Sequence, residues 1–276
     1  MNKEERLTKK IYTEQAGYEW TRLVKSPFKK LELNTTLHFL EKYLPKKGLI
    51  LDAGGGPGRY TIELAKKGYN VVLLDLVKAN LEIAKKQIKK AEVKDNVQEI
   101  VEGSILNLSK FKDNSFDAVL CLGGPLSHVS PESNRLKALS ELKRVAKKNA
   151  PIFVSVMGRF GVLSQAPARW PEEIAMNKHF NELALEGEDY NWRGKNYYCH
   201  FFSLEELEKL FDKEKIKIIE KVGLEGFGSA NEKAINRLYK KYPKAWENWI
   251  NAHYKLCTYP TVVDISQHIL IVGRKK

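Results

Sequence analysis

Residues 49–60 read Leu-Ile-Leu-Asp-Ala-Gly-Gly-Gly-Pro-Gly-Arg-Tyr. A run of β-formers, Leu49, Ile50 and Leu51, ends in Asp52, then in glycines at 54, 55, 56 and 58, and then in a helical pattern over 60–67. The pattern predicts a strand, a tight turn and a helix. Glycine serves two physical needs there: a backbone without Cβ turns through positive φ, and it lets a ligand lie against the chain. The helix that follows presents unpaired N–H groups and a positive dipole end. A nucleotide-like ligand suits such a crevice.

Spacing narrows the choice of nucleotide. A G-x-G-x-x-G/A dinucleotide fingerprint starting at Gly54 needs a small residue at position 59, and the chain has Arg59. No Gly-Lys-Ser/Thr follows, so a P-loop is excluded as well. What stands is Asp52-x-Gly54-x-Gly56-x-Gly58, which resembles motif I of the class I S-adenosylmethionine (SAM) dependent methyltransferases. The resemblance implies that Asp52, Gly54, Gly56 and Gly58 belong to a site for SAM and its product S-adenosylhomocysteine.

Working outward, 70–76 is a second apolar strand, and Asp75 at its end stands 21 positions after Gly54. An acid there is placed to accept both hydroxyls of a ribose, with Leu76 beside it. A third strand is expected over 97–101. In the family the loop after it lines the adenine and commonly carries Asp after the Gly. Here Ser104 and Ile105 stand there, so that contact is weaker or passes to the backbone. The stretch 115–122 resembles motif IV, whose strand leads to the methyl end of the cofactor, at Leu122. Gly123-Gly124-Pro125-Leu126-Ser127-His128 follows. A helix over 132–148 and a fifth strand over 151–156 continue the alternation, which predicts an α/β fold with a doubly wound, mostly parallel sheet.

The resemblance extends this to a single Rossmann-like methyltransferase domain over 1–276, with seven strands. The last strand is antiparallel and inserted between the fifth and sixth. Strands six and seven are expected over 215–222 and 268–272. Residues 1–47 form a candidate helical lid, with a helix over 35–44, and 159–200 and 229–261 are candidate insertions over the crevice. The first insertion carries Trp170, Phe180, Tyr190 and Trp192. Ser203 and Glu206 have capping-box spacing at the start of a further helix.

Composition bounds the partners. The 276 residues carry a formal charge of +13, mostly from Lys and spread along the chain, which reads as a solvated surface more than as a nucleic-acid footprint. Three cysteines, Cys121, Cys199 and Cys257, are far apart and show no metal-ligand spacing, so no metal is expected. The charged first residues hold no secretory core, and no stretch approaches the ~18 apolar residues of a membrane span. A soluble cytoplasmic protein with no membrane partner is expected, and the oligomeric state stays open.

Methyl transfer is an in-line displacement that depends on positioning. Where the acceptor carries a proton, a base helps, and His is the usual choice. His128, just past strand four, is the first candidate, followed by His200 and Arg159; a capping or loop-bonding role for His128 is the alternative. The turn after strand four is not Asp/Asn-Pro-Pro-Tyr/Phe, and Cys121 follows no Pro. Amino-group methylation of bases and cytosine C5 chemistry are therefore disfavoured. A small-molecule acceptor leads, with an RNA or tRNA methyltransferase and a non-catalytic SAM binder as alternatives.

Overall fold

The structure is a computed structural model that describes residues 3–191 and 197–275. Its centre is a run of strands apolar enough to be buried on both faces, as a parallel sheet demands. They are β1 (Leu49–Ala53), β2 (Asn70–Asp75), β3 (Val97–Glu102), β4 (Ala118–Cys121) and β5 (Pro151–Met157), joined by β6 (Ile216–Gly223) and β7 (His268–Lys275). The sheet order is β3-β2-β1-β4-β5-β7-β6. The first five strands pair in parallel, and β7 runs antiparallel to both β5 and β6. The order reverses at β1, so a crevice opens beyond the carboxyl ends of β1 and β4.

Alternate residues of each strand serve opposite layers. Leu51, Val119, Ile152 and Ile271 pack with α5 (Glu132–Val145) and α6 (Leu204–Lys213), the latter through Leu207 and Phe211. Ile50, Leu120, Phe153 and Leu270 pack on the other face against Phe39 and Leu40 of α2 (Pro27–Tyr43) and against Tyr60 and Leu64 of α3 (Arg59–Lys66). Helix α4 (Lys78–Lys90) follows β2.

Several boundaries differ from the expected ones. Helix α2 starts at Pro27 rather than at 35, because Ser26 caps it by accepting from the Lys29 amide at 3.2 Å. Strand β4 is confined to 118–121, leaving Phe116 in an isolated bridge to Ala146 and Leu122 beyond the strand end. Helix α5 stops at Val145, and the turn after it passes through Asn149 in the left-handed region. Residues 3–22 form one helix, α1 (Lys3–Arg22), which no apolar period foretold.

The capping box at Ser203 and Glu206 is present. The 229–261 stretch contains α7 (Glu232–Lys241) and α8 (Pro243–Leu256), split at Pro243 as its ring requires. Between Arg159 and Glu186 the chain makes short helical turns, then a two-residue ribbon of Glu188–Asp189 with Cys199–His200. Trp192 lies outside the described residues. The three cysteines are buried thiols, and among the described residues no helix is long and apolar enough to cross a membrane.

Candidate functional site

The turn after β1 folds back onto the end of β2. The Gly54 and Gly55 amides both donate to the Leu74 carbonyl, at 2.7 and 3.1 Å. Gly54 has φ +78°, and a Cβ there would come within 2.6 Å of the Pro125 ring. One on Gly55 would sit 2.5 Å from the Asp52 carboxyl. The glycines are thus required by packing beneath the turn as well as by what lies above it.

Above the turn is a cavity. Eight of the twelve expected site residues line it: Gly54, Gly56, Asp75, Leu76, Ser104, Ile105, Leu122 and His128. Asp75 is held by the Gly56 amide at 2.8 Å, the Val77 amide at 2.9 Å and the Asn80 side chain at 3.2 Å. Burial pushes its carboxyl above the usual range, and these donors pull it partly back.

The other four lie elsewhere. Asp52 is fully buried under the turn, where it accepts from the Thr61 hydroxyl at 2.6 Å. Burial pushes its carboxyl up to about 6, against the pull of Thr61. Gly58, at φ +80°, caps α3 and does not line the cavity. Arg159 and His200, expected near the reaction, form a buried structural network. Arg159 donates to the carbonyls of Phe201 (3.1 Å), Leu185 (2.8 Å) and Glu186 (3.1 Å) and to the Glu206 carboxylate (2.5 Å). A buried guanidinium must satisfy its donors, and these acceptors pin the 159–200 segment to the start of α6. His200 faces Glu188 at 3.1 Å and the Phe202 ring.

Helix α1 lines one side of the cavity and is held there through polar pairs. Glu5 accepts from the Ser104 hydroxyl, and Lys9 meets Glu102 at 2.5 Å. Arg22 forks Glu32 of α2 at 2.6 and 3.2 Å. The Tyr12 hydroxyl is 2.9 Å from His128 Nε2, while His128 Nδ1 is 3.2 Å from the Tyr198 carbonyl. A carbonyl only accepts, so Nδ1 carries the hydrogen and Nε2 accepts from Tyr12. Tyr197 stacks on the His128 ring at 4.9 Å.

A second cavity adjoins the first, and Tyr12, Glu19, Arg22 and Gly123 line both. Its wall includes Trp170, Asp189, Phe201 and His268. His268 Nδ1 lies 2.6 Å from Glu225 and 3.7 Å from Glu32. Burial alone would lower the pKa of His268, but the two carboxylates outweigh it and raise it. Burial pushes Glu32 up, and Arg22 and His268 overcome this and bring it down to about 2. Glu32, Glu225 and His268 bring ligand atoms within 4.8 Å of one another, with Glu32 held by the Arg22 fork and Glu225 by His268 Nδ1. Sequence reasoning missed this group, whose members come from three distant segments.

A methyltransferase domain family matches residues 50–149. The glycine/sarcosine N-methyltransferase of Aphanothece halophytica is 32% identical over 40% of this chain and 41% of its own length. The chain thus spans about two fifths of that relative. The tRNA 5-carboxymethoxyuridine methyltransferase of Escherichia coli is 41% identical over 20% of this chain and 21% of its length. Among solved structures, the Burkholderia thailandensis 1,6-didemethyltoxoflavin N1-methyltransferase, with S-adenosylhomocysteine bound, superposes with a TM-score of 0.58 at 12% identity. That match covers 98% of this chain and 88% of that one, a likeness of fold. Residues 50–149, from β1 and the glycine turn through β4 and α5, thus carry a methyltransferase domain, and the parallel sheet closed by an antiparallel β7 has the fold of the class I SAM-dependent methyltransferases.

Proposed function

We propose that this protein transfers a methyl group from SAM to a small molecule held in the second cavity. The observation that carries the reading is the junction of the two cavities at Tyr12, Glu19, Arg22 and Gly123, just past the end of β4. The first cavity suits an adenosyl compound: a Cβ on Gly56, at φ +57°, would meet nothing closer than the Asn80 side-chain nitrogen at 3.9 Å, and Asp75 reaches the cavity from the end of β2. Asp75 would bond the ribose hydroxyls, with Gly54 and Gly56 against the sugar and amino-acid portion. Ser104 and Ile105 would flank the base, and Leu122 the methyl end. Asp52 and Gly58 support the turn from below.

When bound, SAM supplies a methyl on a sulfonium. The protein's part is to align acceptor, methyl and sulfur and to exclude water. Helix α1 and the 159–200 and 229–261 segments are proposed as the cover over the two cavities, with α1 moving to admit ligand. His128, with Tyr12 on one nitrogen and a carbonyl on the other, couples α1 to the crevice rather than acting as a base. The second cavity, at about 420 Å³, is of small-molecule size.

Calorimetry with SAM and S-adenosylhomocysteine, and NADH as control, tests the cofactor half; uptake of NADH alone would refute it. Release of S-adenosylhomocysteine with a panel of small acceptors tests the other half. The tRNA-modifying relative and the +13 charge favour RNA as a second reading. A salt-steep affinity for tRNA would bring it forward.

A further inference from the structure

The second cavity holds a titratable pair to which the proposed reaction gives no role. His268 opens β7 opposite Met157, at the carboxyl end of β5, and lines the cavity. Glu225 fixes it twice, taking the His268 amide at 2.9 Å on one oxygen and Nδ1 at 2.6 Å on the other. With Nδ1 donating to a carboxylate, Nε2 is the nitrogen that takes a proton. Among the described residues no hydrogen bond reaches it. His128 differs, because its Nε2 already accepts from Tyr12.

Three carboxylates line the same cavity: Glu19, Glu173 and Asp189. Glu19 is paired with Arg22 at 3.0 Å, and Glu173 is 3.7 Å from His179. Asp189 is 2% exposed and accepts the Asn191 amide at 2.8 Å. Among the described residues no Lys or Arg lies within salt-bridge distance of it. The one cationic influence on this buried carboxylate among the described residues is His179, so a buried carboxylate facing a cavity here favours a cationic occupant. Trp170 and Tyr18 add aromatic faces that suit the same charge.

We propose, resting on the methyl-transfer reading above, that the acceptor is a primary or secondary amine arriving as its ammonium, and that His268 Nε2 is the catalytic base that takes its proton. The proton passes from the ammonium nitrogen to Nε2, leaving a neutral amine. The amine lone pair then forms the new N–C bond to the methyl carbon, and the C–S bonding pair returns to sulfur. The N-methylammonium product leaves, and His268 releases its proton to water. Glu225 is a positioning residue that also stabilises the imidazolium. The other charges facing His268 are Glu32 and Lys29 from α2 and Arg22 from α1, while β5 presents uncharged Met157.

The test uses the full chain with SAM and an amine series of methylamine, glycine and histamine, against catechol and 2-mercaptoethanol. Transfer to an amine is expected. His268→Gln should lower kcat with that amine about 100-fold or more while S-adenosylhomocysteine affinity stays within about twofold. Glu225→Gln should move the acid limb of kcat/KM to lower pH, because losing the carboxylate lowers the His268 pKa. Transfer confined to the hydroxyl or thiol probes, or to none, overturns the proposal, as does full turnover in His268→Gln. If that variant does not fold, an unmoved acid limb in Glu225→Gln overturns it instead. Failure of the wild-type protein to bind S-adenosylhomocysteine would be a separate result, removing the methyl-transfer reading itself.

Discussion

The Arg59 guanidinium lies 3.6 Å from the centre of the Trp20 ring and donates to the Trp20 carbonyl at 2.7 Å. The residue that excluded a dinucleotide fingerprint thus ties α3 to α1 across the cavity mouth. A stacked cation of this kind contributes about 0.5–2 kcal/mol. Arg59→Ala should therefore loosen α1, weakening S-adenosylhomocysteine binding several-fold in calorimetry and speeding amide exchange in 3–22.

Asp75 offers its remaining acceptor capacity to the cavity, and hydrogen bonds to a charged group contribute about 1.5–3 kcal/mol. Asp75→Asn should weaken S-adenosylhomocysteine binding about tenfold to hundredfold. The 2′-deoxy analogue should lose less in the variant than in the wild type, which the same titrations would check.

Tyr12 and His128 link α1 to the crevice without touching the transferred group in the proposed reading. Tyr12→Phe and His128→Ala should each raise the Kd for the cofactor while leaving kcat at saturation within about threefold. A large fall in kcat with unchanged affinity would return His128 to the chemistry.

Gly54→Ala places a methyl group within 2.6 Å of Pro125 at φ +78°. Strain of this kind costs on the order of 1–3 kcal/mol, so the variant should show a lower Tm even without ligand. Gly56→Ala, whose new methyl would meet nothing closer than Asn80 at 3.9 Å, should lose less stability and more cofactor affinity.

Asp52 sets a pH dependence whose sign is fixed. Burial, partly offset by Thr61, raises its carboxyl from 3.8 unfolded to about 6 folded. The folded chain then holds the proton more tightly, so this contribution is fully present below about 4 and is lost as pH rises through 6. Denaturant titrations should show Asp52→Asn losing less stability than the wild type across that window.

The parts readable in sequence were those whose signal is local. The glycines, Asp75 and the apolar strands follow from neighbouring residues, and the sheet follows from their alternation. Helix α1 was not readable because it docks through Glu5, Lys9, Tyr12 and Arg22, polar residues whose partners lie in other segments, so no apolar stripe marks it. Arg159 and His200 were chosen by residue type, which suggests chemistry, while the partners that hold them come from the 185–206 stretch and carry no local signal. The Glu225–His268 pair was invisible for the opposite reason, since only the pairing of β6 with β7 brings it together.

The antiparallel insertion of β7 governs how the sheet is assembled. Strand β6 touches β5 nowhere in the ladder and has no neighbour until β7 slides between them. Two open edges must therefore wait, in sequence, for a segment made well after both. Such long-range closure is a late and slow event that leaves sticky edges exposed meanwhile. A nascent chain held short of residue 268 should seek a chaperone, or another chain's strand, to fill the gap.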